Sequence, residues 1–172
     1  MKSRVKWTLG IFLVILTIVI VFGYLFFFSG NERESSSSGV QLANPAASLS
    51  LEEAVAQFNE SFVYYLLYSI GANKLHRVPL GSEDPKLEIV VSNDIYSAVV
   101  NNGKIKVSKV AIENGDIVIK TTKEEAVKMM NDRNYIEKSF KSGNSGIELV
   151  AGKTSLFAKG YLSIYEELTQ SK

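Results

Sequence analysis

A run of 22 residues without a charged side chain, Trp7–Phe28, consists mostly of Ile, Val, Leu and Phe. As a helix it would be about 33 Å long, which matches the roughly 30 Å hydrocarbon core of a bilayer. A cleavable signal peptide is the alternative. The run is longer than the usual apolar region of such a peptide, however, and no small-x-small cleavage site follows Phe28. We therefore expect an uncleaved transmembrane helix over residues 7–28.

The charges on either side of this segment predict its orientation. Residues 1–6 contain three basic side chains, whereas the first charged group after the segment, Glu32–Glu34, is net negative. The positive-inside rule then places residues 1–6 in the cytoplasm and the chain after the helix outside the cell membrane. We expect a single-pass protein of the cell membrane.

A polar, Ser-rich stretch follows over residues 29–48, with few large apolar side chains. Such a stretch cannot bury enough surface to offset the loss of chain entropy, so it predicts a flexible tether. The remaining residues, 49–172, are long enough for one domain.

Composition excludes several classes of function. The chain has no Cys and one His, His76, which rules out disulfides, Cys-based zinc sites and clusters of several His ligands. Its 19 basic residues nearly balance 18 acidic ones, so it lacks the basic excess of nucleic-acid-binding proteins. We predict no metal, no cofactor and no nucleic-acid partner.

The domain alternates between helical and strand patterns. Ser50 and Glu53 predict a capping box that opens a helix over residues 51–70. Alternating segments predict strands over 86–92, 95–100, 104–110 and 116–121, and their short links favour an antiparallel meander. Thr122 and Glu125 predict a helix to about residue 131, followed by a helix over 135–142, a strand over 147–151 and a helix over 154–169. This order predicts an α+β domain whose five-stranded, mainly antiparallel sheet is covered by helices.

Three segments carry a family resemblance: VVNNGKIKVSKV at Val99–Val110, ENGDIVI at Glu113–Ile119, and FKSG at Phe140–Gly143 before the next strand. In order and spacing, residues 85–168 resemble the type-two sterol carrier protein domain. The chain departs from the family pattern at Gly115, where Pro is common, and in its predicted membrane anchor. The resemblance implies a hydrophobic tunnel between helices and sheet that holds a lipid or acyl chain, and a function without catalysis.

Ten large apolar side chains are the candidates for lining such a tunnel. They are Phe58, Phe62, Tyr65, Leu66, Val127, Met130, Phe140, Phe157, Tyr161 and Ile164. The same residues could equally form a filled core, because a small domain needs about this many. In the last predicted helix, Phe157, Tyr161, Ile164 and Leu168 share one stripe at helical spacing. Both interpretations stay open.

Candidates for chemistry are weak. His76 lies in a polar loop without an acidic neighbour nearby in sequence, which favours a solvated side chain. The segment Gly146–Thr154 ends like a phosphate-binding loop, but five residues separate its glycines where the motif needs four, and they follow a strand pattern. We predict no catalytic residues.

Two functions from different classes therefore remain. The first is a membrane-anchored domain that binds a lipid or other long apolar ligand. The alternative is a membrane-anchored interaction or scaffold domain with a filled core and no ligand. In that case Tyr64, Tyr65 and Tyr68 would form a docking patch on the first helix.

Overall fold

The structure is a computed structural model that describes residues 42–78, 81 and 83–169. The predicted transmembrane segment, residues 7–28, lies outside these residues, as do residues 1–6 and the part of the predicted tether over 29–41. Among the residues that are described, no helix is both long and apolar enough to cross a membrane. The described residues belong to one compact unit that begins at Leu42.

Six helices and five strands make up this part of the chain. The helices are α1 (Leu51–Ala56), α2 (Glu60–Ser69), α3 (Lys123–Asn131), α4 (Arg133–Lys141), α5 (Lys153–Lys159) and α6 (Tyr161–Thr169), and a 3₁₀ turn, Ala72–Lys74, follows α2. The strands are β1 (Lys86–Val91), β2 (Asp94–Asn101), β3 (Lys104–Ser108), β4 (Ile117–Thr121) and β5 (Gly146–Leu149). The prediction of an α+β domain is confirmed.

The five strands form one sheet in the order β3-β2-β1-β4-β5. Three neighbouring pairs are antiparallel, and β1 runs parallel to β4. The sheet is thus mainly antiparallel, but the predicted four-stranded meander is wrong, since β4 leaves β3 and pairs with β1.

Residues 109–116 make this crossing possible. Extended, they span about 26 Å, whereas the lateral step from β3 to β4 is three strand spacings of about 4.8 Å. Asp116 fixes the end point: its backbone N–H donates to the Lys86 carbonyl at 2.8 Å, and its carboxylate accepts from the Lys86 N–H at 2.8 Å. The start of β4 is therefore held beside the start of β1.

One face of the sheet forms the floor of the hydrophobic core. Alternate residues on the central strands are buried on this face: Leu87, Ile89, Val91, Tyr96, Ala98, Val100, Ile117 and Ile119. The helices contribute the other half of the same core. The alternation predicted for the second and third strands is confirmed, because burial by one face selects every second side chain.

The first predicted helix, residues 51–70, is interrupted at Gln57–Asn59. The capping box of Ser50 and Glu53 is present, as predicted. The Asn59 side chain accepts from the Ser61 N–H at 2.9 Å and donates to the Gln57 carbonyl at 3.0 Å. An Asn side chain that bonds to the local backbone favours a helix cap over continued helix, so Asn59 ends the turn after α1 and begins α2.

The last predicted helix, residues 154–169, is also two helices. Gly160 separates α5 from α6 with a φ of +88°, a left-handed conformation that ends a helix. The break changes which side chains share a face: Phe157 is 73% exposed, whereas Tyr161, Ile164 and Leu168 are buried. The predicted single stripe that includes Phe157 is therefore wrong.

The intervening elements lie close to their predicted positions. Helix α3 begins after Thr122, whose side chain accepts from the Glu125 N–H, as the second capping box predicts. Helix α4 begins at Arg133 because Asp132 caps it, two residues before the predicted start. The segment after Gly146 is strand β5, which confirms the strand pattern within the loop-like motif.

Candidate binding groove

An open groove lies between the start of the described chain, helix α2 and the edge strand β3. Its volume is about 420 Å³, within the roughly 300–1,000 Å³ typical of ligand sites. We call it the α2 groove. The residues that line it are Leu42, Ala43, Pro45, Glu60, Ser61, Tyr64, Tyr65 and Val107.

The segment of residues 42–45 forms one wall, and Asn44 fixes its position. The Asn44 amide donates to the Met130 carbonyl at 3.0 Å and to the Asn131 side chain at 2.9 Å, and its oxygen accepts from the Ala46 N–H. Ala46 is only 1% exposed. Asn44 and Ala46, which the predicted boundary at residue 49 assigns to the tether, therefore contact the domain.

Helix α2 forms the opposite wall. Glu60 and Tyr64, like Ser61 and Tyr65, are four residues apart and therefore stack along one face of the helix. The opposite face of α2 is buried in the core. Because the cap at Asn59 determines where the helix starts, it also determines that Glu60, Ser61, Tyr64 and Tyr65 lie on the face toward the groove.

The two sides of the α2 groove differ in chemistry. Among the described residues, every polar side chain in its lining belongs to α2: a carboxylate on Glu60 and hydroxyls on Ser61, Tyr64 and Tyr65. The other lining residues, Leu42, Ala43, Pro45 and Val107, are apolar. A long molecule with one polar end matches such a lining, because its chain can face the apolar wall while its polar end faces α2.

The ten predicted tunnel residues fall into three groups. Eight are at most 8% exposed and belong to the continuous core: Phe58, Phe62, Leu66, Val127, Met130, Phe140, Tyr161 and Ile164. Tyr65 is half-buried and lines the α2 groove, whereas Phe157 is exposed. Side chains this well buried leave little room beside them for a water-filled void, so their role as a ligand lining stays a prediction.

Sequence reasoning missed most of the lining of the α2 groove. It assigned Leu42, Ala43 and Pro45 to the tether and gave no ligand-binding role to Glu60, Ser61 or Val107. The only signal was the apolar pair Leu42 and Pro45 within a polar stretch, together with the i, i+4 repeat on α2. Tyr64 was considered only as part of a docking patch with Tyr65 and Tyr68, of which Tyr68 is 43% exposed.

A second groove of about 240 Å³ lies between the end of α2, α4 and α6. Its lining is more charged and contains none of the predicted tunnel residues: Ser69, Ile70, Arg133, Asn134, Ile136, Glu137, Glu167 and Leu168. It is therefore the weaker candidate for an apolar ligand.

A buried polar cluster surrounds Asp116. Lys159 donates to both carboxylate oxygens at 2.8 and 3.0 Å, and the Tyr161 hydroxyl donates to one of them at 3.0 Å. Burial, followed by the adjacent Asp116 carboxylate, raises the pKa of Tyr161, which keeps its proton as a donor. Each group is satisfied within the cluster, which ties α5 and α6 to the starts of β1 and β4.

A second polar cluster surrounds Glu125. Its carboxylate accepts from Lys128 at 2.9 Å, Ser139 at 2.8 Å and Tyr135 at 3.3 Å. Burial alone would raise the pKa of Glu125, but these hydrogen bonds outweigh burial and hold the pKa below its ordinary value. The Ser139 hydroxyl also contacts Ser145 at 2.9 Å, so the cluster joins α3 and α4 to the start of β5.

Neither cluster adjoins the α2 groove, and both are explained by the fold. His76 is exposed, and its ring lies 3.3 Å from the Lys74 carbonyl. In the described part of the chain, no group of three His, Cys, Asp or Glu side chains could hold a metal ion.

No protein-family model and no curated protein matches the chain. Among solved structures, it is similar to UbiJ-SCP2, a ubiquinone synthesis protein, at 14% identity over 63% of this chain and 90% of that chain, with a TM-score of 0.37. It is also similar to sterol carrier protein 2 like 2 from Aedes aegypti, at 17% identity over 58% and 90% of the two chains, with a TM-score of 0.34.

A third similar structure is a double mutant of the sec-alkyl sulfatase PisA1, with 15% identity, a TM-score of 0.31 and coverage of 52% of this chain but 13% of that one. The two sterol carrier protein 2 domains among these structures are of the family that residues 85–168 resemble.

Proposed function

We propose that the chain is a membrane-anchored domain that binds a lipid or another long apolar molecule without catalysis. The observation that carries the proposal is the α2 groove, which has an apolar wall opposite a polar wall and a volume of about 420 Å³. The resemblance of residues 85–168 to sterol carrier protein domains implies the same class of ligand.

The size of the groove is consistent with useful affinity. Each methylene of a ligand that leaves water contributes about 0.8 kcal/mol, so ten methylenes contribute about 8 kcal/mol. Before the cost of ordering the ligand is subtracted, this corresponds to a dissociation constant of about 1 μM.

The position of the groove in the chain supports a role at a bilayer. Its apolar wall begins at Leu42, and only residues 29–41 separate this wall from the predicted transmembrane segment, residues 7–28. A flexible segment of that length has an average end-to-end distance of about 20 Å. We therefore propose that the groove takes up ligand from, or delivers it to, the outer leaflet of the membrane that anchors it.

A long ligand chain could extend from the groove into the domain. Tyr65 lines the groove and is one of the ten predicted tunnel residues, and Phe62 and Leu66 lie on the buried side of the same helix. We propose that an outward movement of α2 from the sheet opens a path along these side chains. The predicted tunnel would then form only with ligand bound.

The alternative function is an anchored interaction domain with a filled core. It is favoured by the tight burial of eight predicted tunnel residues and by the exposure of Tyr68 on the outer side of α2. In this case a protein partner would cover the aromatic side chains of α2, and no lipid would enter.

The two functions are separated by native mass spectrometry of residues 42–172, the unit that contains the described contacts. The domain is purified without detergent and incubated with a mixed lipid extract. We expect a bound lipid mass that Val107→Trp abolishes by filling the groove. The matched control is Val110→Trp, at a position that is 59% exposed and outside the lining. A wild-type domain that stays free of lipid would favour the filled-core alternative.

A further inference from the structure

The polar wall of the α2 groove carries a negative charge. Glu60 contributes a carboxylate, and the other polar groups, on Ser61, Tyr64 and Tyr65, are neutral hydroxyls. None of the described residues in the lining is Lys, Arg or His. A carboxylate or phosphate on a ligand would meet repulsion here without a compensating cation, whereas a hydroxyl could donate to Glu60 and accept from a tyrosine.

The N-terminus of α2 does not reverse this preference. A helix N-terminus usually favours an anion, through its partial positive charge and its free N–H groups. Here Glu60 is the first residue of the helix and already places a carboxylate at that end, while the Ser61 N–H donates to Asn59 at 2.9 Å. The positive end of the α2 helix, which would attract an anionic ligand, thus already faces the side chains of Glu60 and Asn59.

Lys109, the residue directly after β3, is bound to a carboxylate outside the groove. Lys109 lies two residues after Val107, and its Nζ binds Asp94 at 2.8 Å. Lys123 binds the other oxygen of the same carboxylate at 2.9 Å. Hydrogen bonding to Asp94 is the largest cause of the raised pKa of Lys109, and the charge of Glu60 is the smallest cause named. Lys109 is therefore held mainly by Asp94, and it is not among the residues that line the groove.

We propose that the α2 groove selects lipids with a neutral, hydroxyl-bearing end and discriminates against lipids that end in a carboxylate or phosphate. Glu60 is the residue that sets this specificity. The inference rests on the proposed lipid-binding function. At an exposed site near physiological ionic strength, we expect a discrimination of about five- to tenfold.

The test uses the full chain reconstituted in phosphatidylcholine vesicles and two photoactivatable probes, diazirine analogues of dodecan-1-ol and of dodecanoate. After irradiation, trypsin yields one peptide over residues 7–33 and another over residues 34–74, which contains every described lining residue except Val107. Fragmentation of the second peptide locates the label. Labelling of the first peptide, which contains the predicted transmembrane segment, measures how much of each probe is in the bilayer. When variants are compared with the same probe, differences between the two probes in partitioning into the bilayer do not affect the result.

In the wild-type chain we expect the alcohol probe to label residues 42–65, and the acid probe to label them at least fivefold less after normalisation. Glu60→Gln should raise acid labelling about fivefold and change alcohol labelling less than twofold. Glu60→Asp should keep the discrimination. Glu52→Gln removes an equal charge from an exposed site outside the lining and should leave both signals unchanged.

The outcomes are distinguishable. Equal labelling of the groove by both probes, or an acid signal that Glu60→Gln leaves unchanged, would overturn the inference but leave lipid binding intact. If neither probe labels residues 42–65 above the background of the vesicles, the proposed function itself fails.

Discussion

Two fully buried tyrosines, Tyr161 and Tyr96, show how one side-chain type has opposite consequences in this core. The Tyr161 hydroxyl donates to the Asp116 carboxylate at 3.0 Å and lies 3.2 Å from the Lys86 carbonyl. The Tyr96 hydroxyl is buried and has no hydrogen-bond partner in the part of the chain that the structure describes. Burial raises the pKa of both, so both are neutral at physiological pH.

We therefore expect the same substitution to have opposite effects at these two sites. Tyr161→Phe removes a hydrogen bond to a charged group and should lower the free energy of unfolding by about 1.5–3 kcal/mol. Tyr96→Phe removes an unsatisfied hydroxyl and should leave that free energy unchanged or raise it by up to about 1 kcal/mol. Urea unfolding of both variants measures the difference. A loss at Tyr96 as large as that at Tyr161 would show that the Tyr96 hydroxyl has a partner.

At the scale of the elements, the breaks within helices decide which side chains reach the core. Gly160 has a φ of +88°, and the α5 helix ends there. The Lys159 carbonyl at this break accepts from the His76 N–H at 3.2 Å. A β-carbon on Gly160 would lie 3.4 Å from the His76 ring, so both the backbone conformation and the space favour glycine.

Three alanine substitutions separate these two contributions. Gly160→Ala should cost about 1–2 kcal/mol, because it adds both backbone strain and a close contact. Gly143→Ala has a similar φ of +76° but open space around it, so it should cost about 1 kcal/mol from strain alone. Gly146→Ala, with neither feature, is the control and should change stability by less than about 0.5 kcal/mol. Equal unfolding temperatures for the Gly160 and Gly146 variants would contradict this account.

Much of the element pattern could be predicted from the sequence, because it depends on local interactions. The capping residues Ser50 and Thr122 mark the helix starts, and alternation on the second and third strands marks the buried face of the sheet. The break at Asn59 was not predicted, since the apolar pattern continues across it and masks the capping preference. The pairing of β4 with β1 depends on hydrogen bonds between Asp116 and Lys86, which are 30 residues apart in the chain.

The candidate site was harder to predict for a physical reason. A groove is formed by the space between elements, and periodicity in one element does not reveal it. Glu60 and Ser61 are ordinary polar residues on an exposed helix face until the segment at Leu42 is placed opposite them. Tyr65 was predicted as a ligand residue and does line the groove, because it lies where the apolar stripe of α2 meets its polar face.

At the scale of the whole molecule, the structure places the start of the domain before the predicted boundary at residue 49. Residues 42–45 supply the apolar wall of the groove, and Asn44 and Ala46 attach this wall to α3 and the core. The segment is thus both the end of the connection to the proposed anchor and a part of the proposed site. Such an arrangement would couple ligand binding to the position of the tether.

The boundary can be tested by comparing fragments 42–172 and 50–172. The longer fragment should fold and take up the apolar dye Nile red, since it contains the whole compact unit. The shorter one loses the Asn44 hydrogen bonds and the buried Ala46, so its free energy of unfolding should fall by at least about 2 kcal/mol and dye uptake should be lost. Asn44→Ala in the longer fragment should reproduce part of the destabilisation. Identical unfolding midpoints and dye uptake for the two fragments would mean that residues 42–48 belong to the tether, as the sequence predicts.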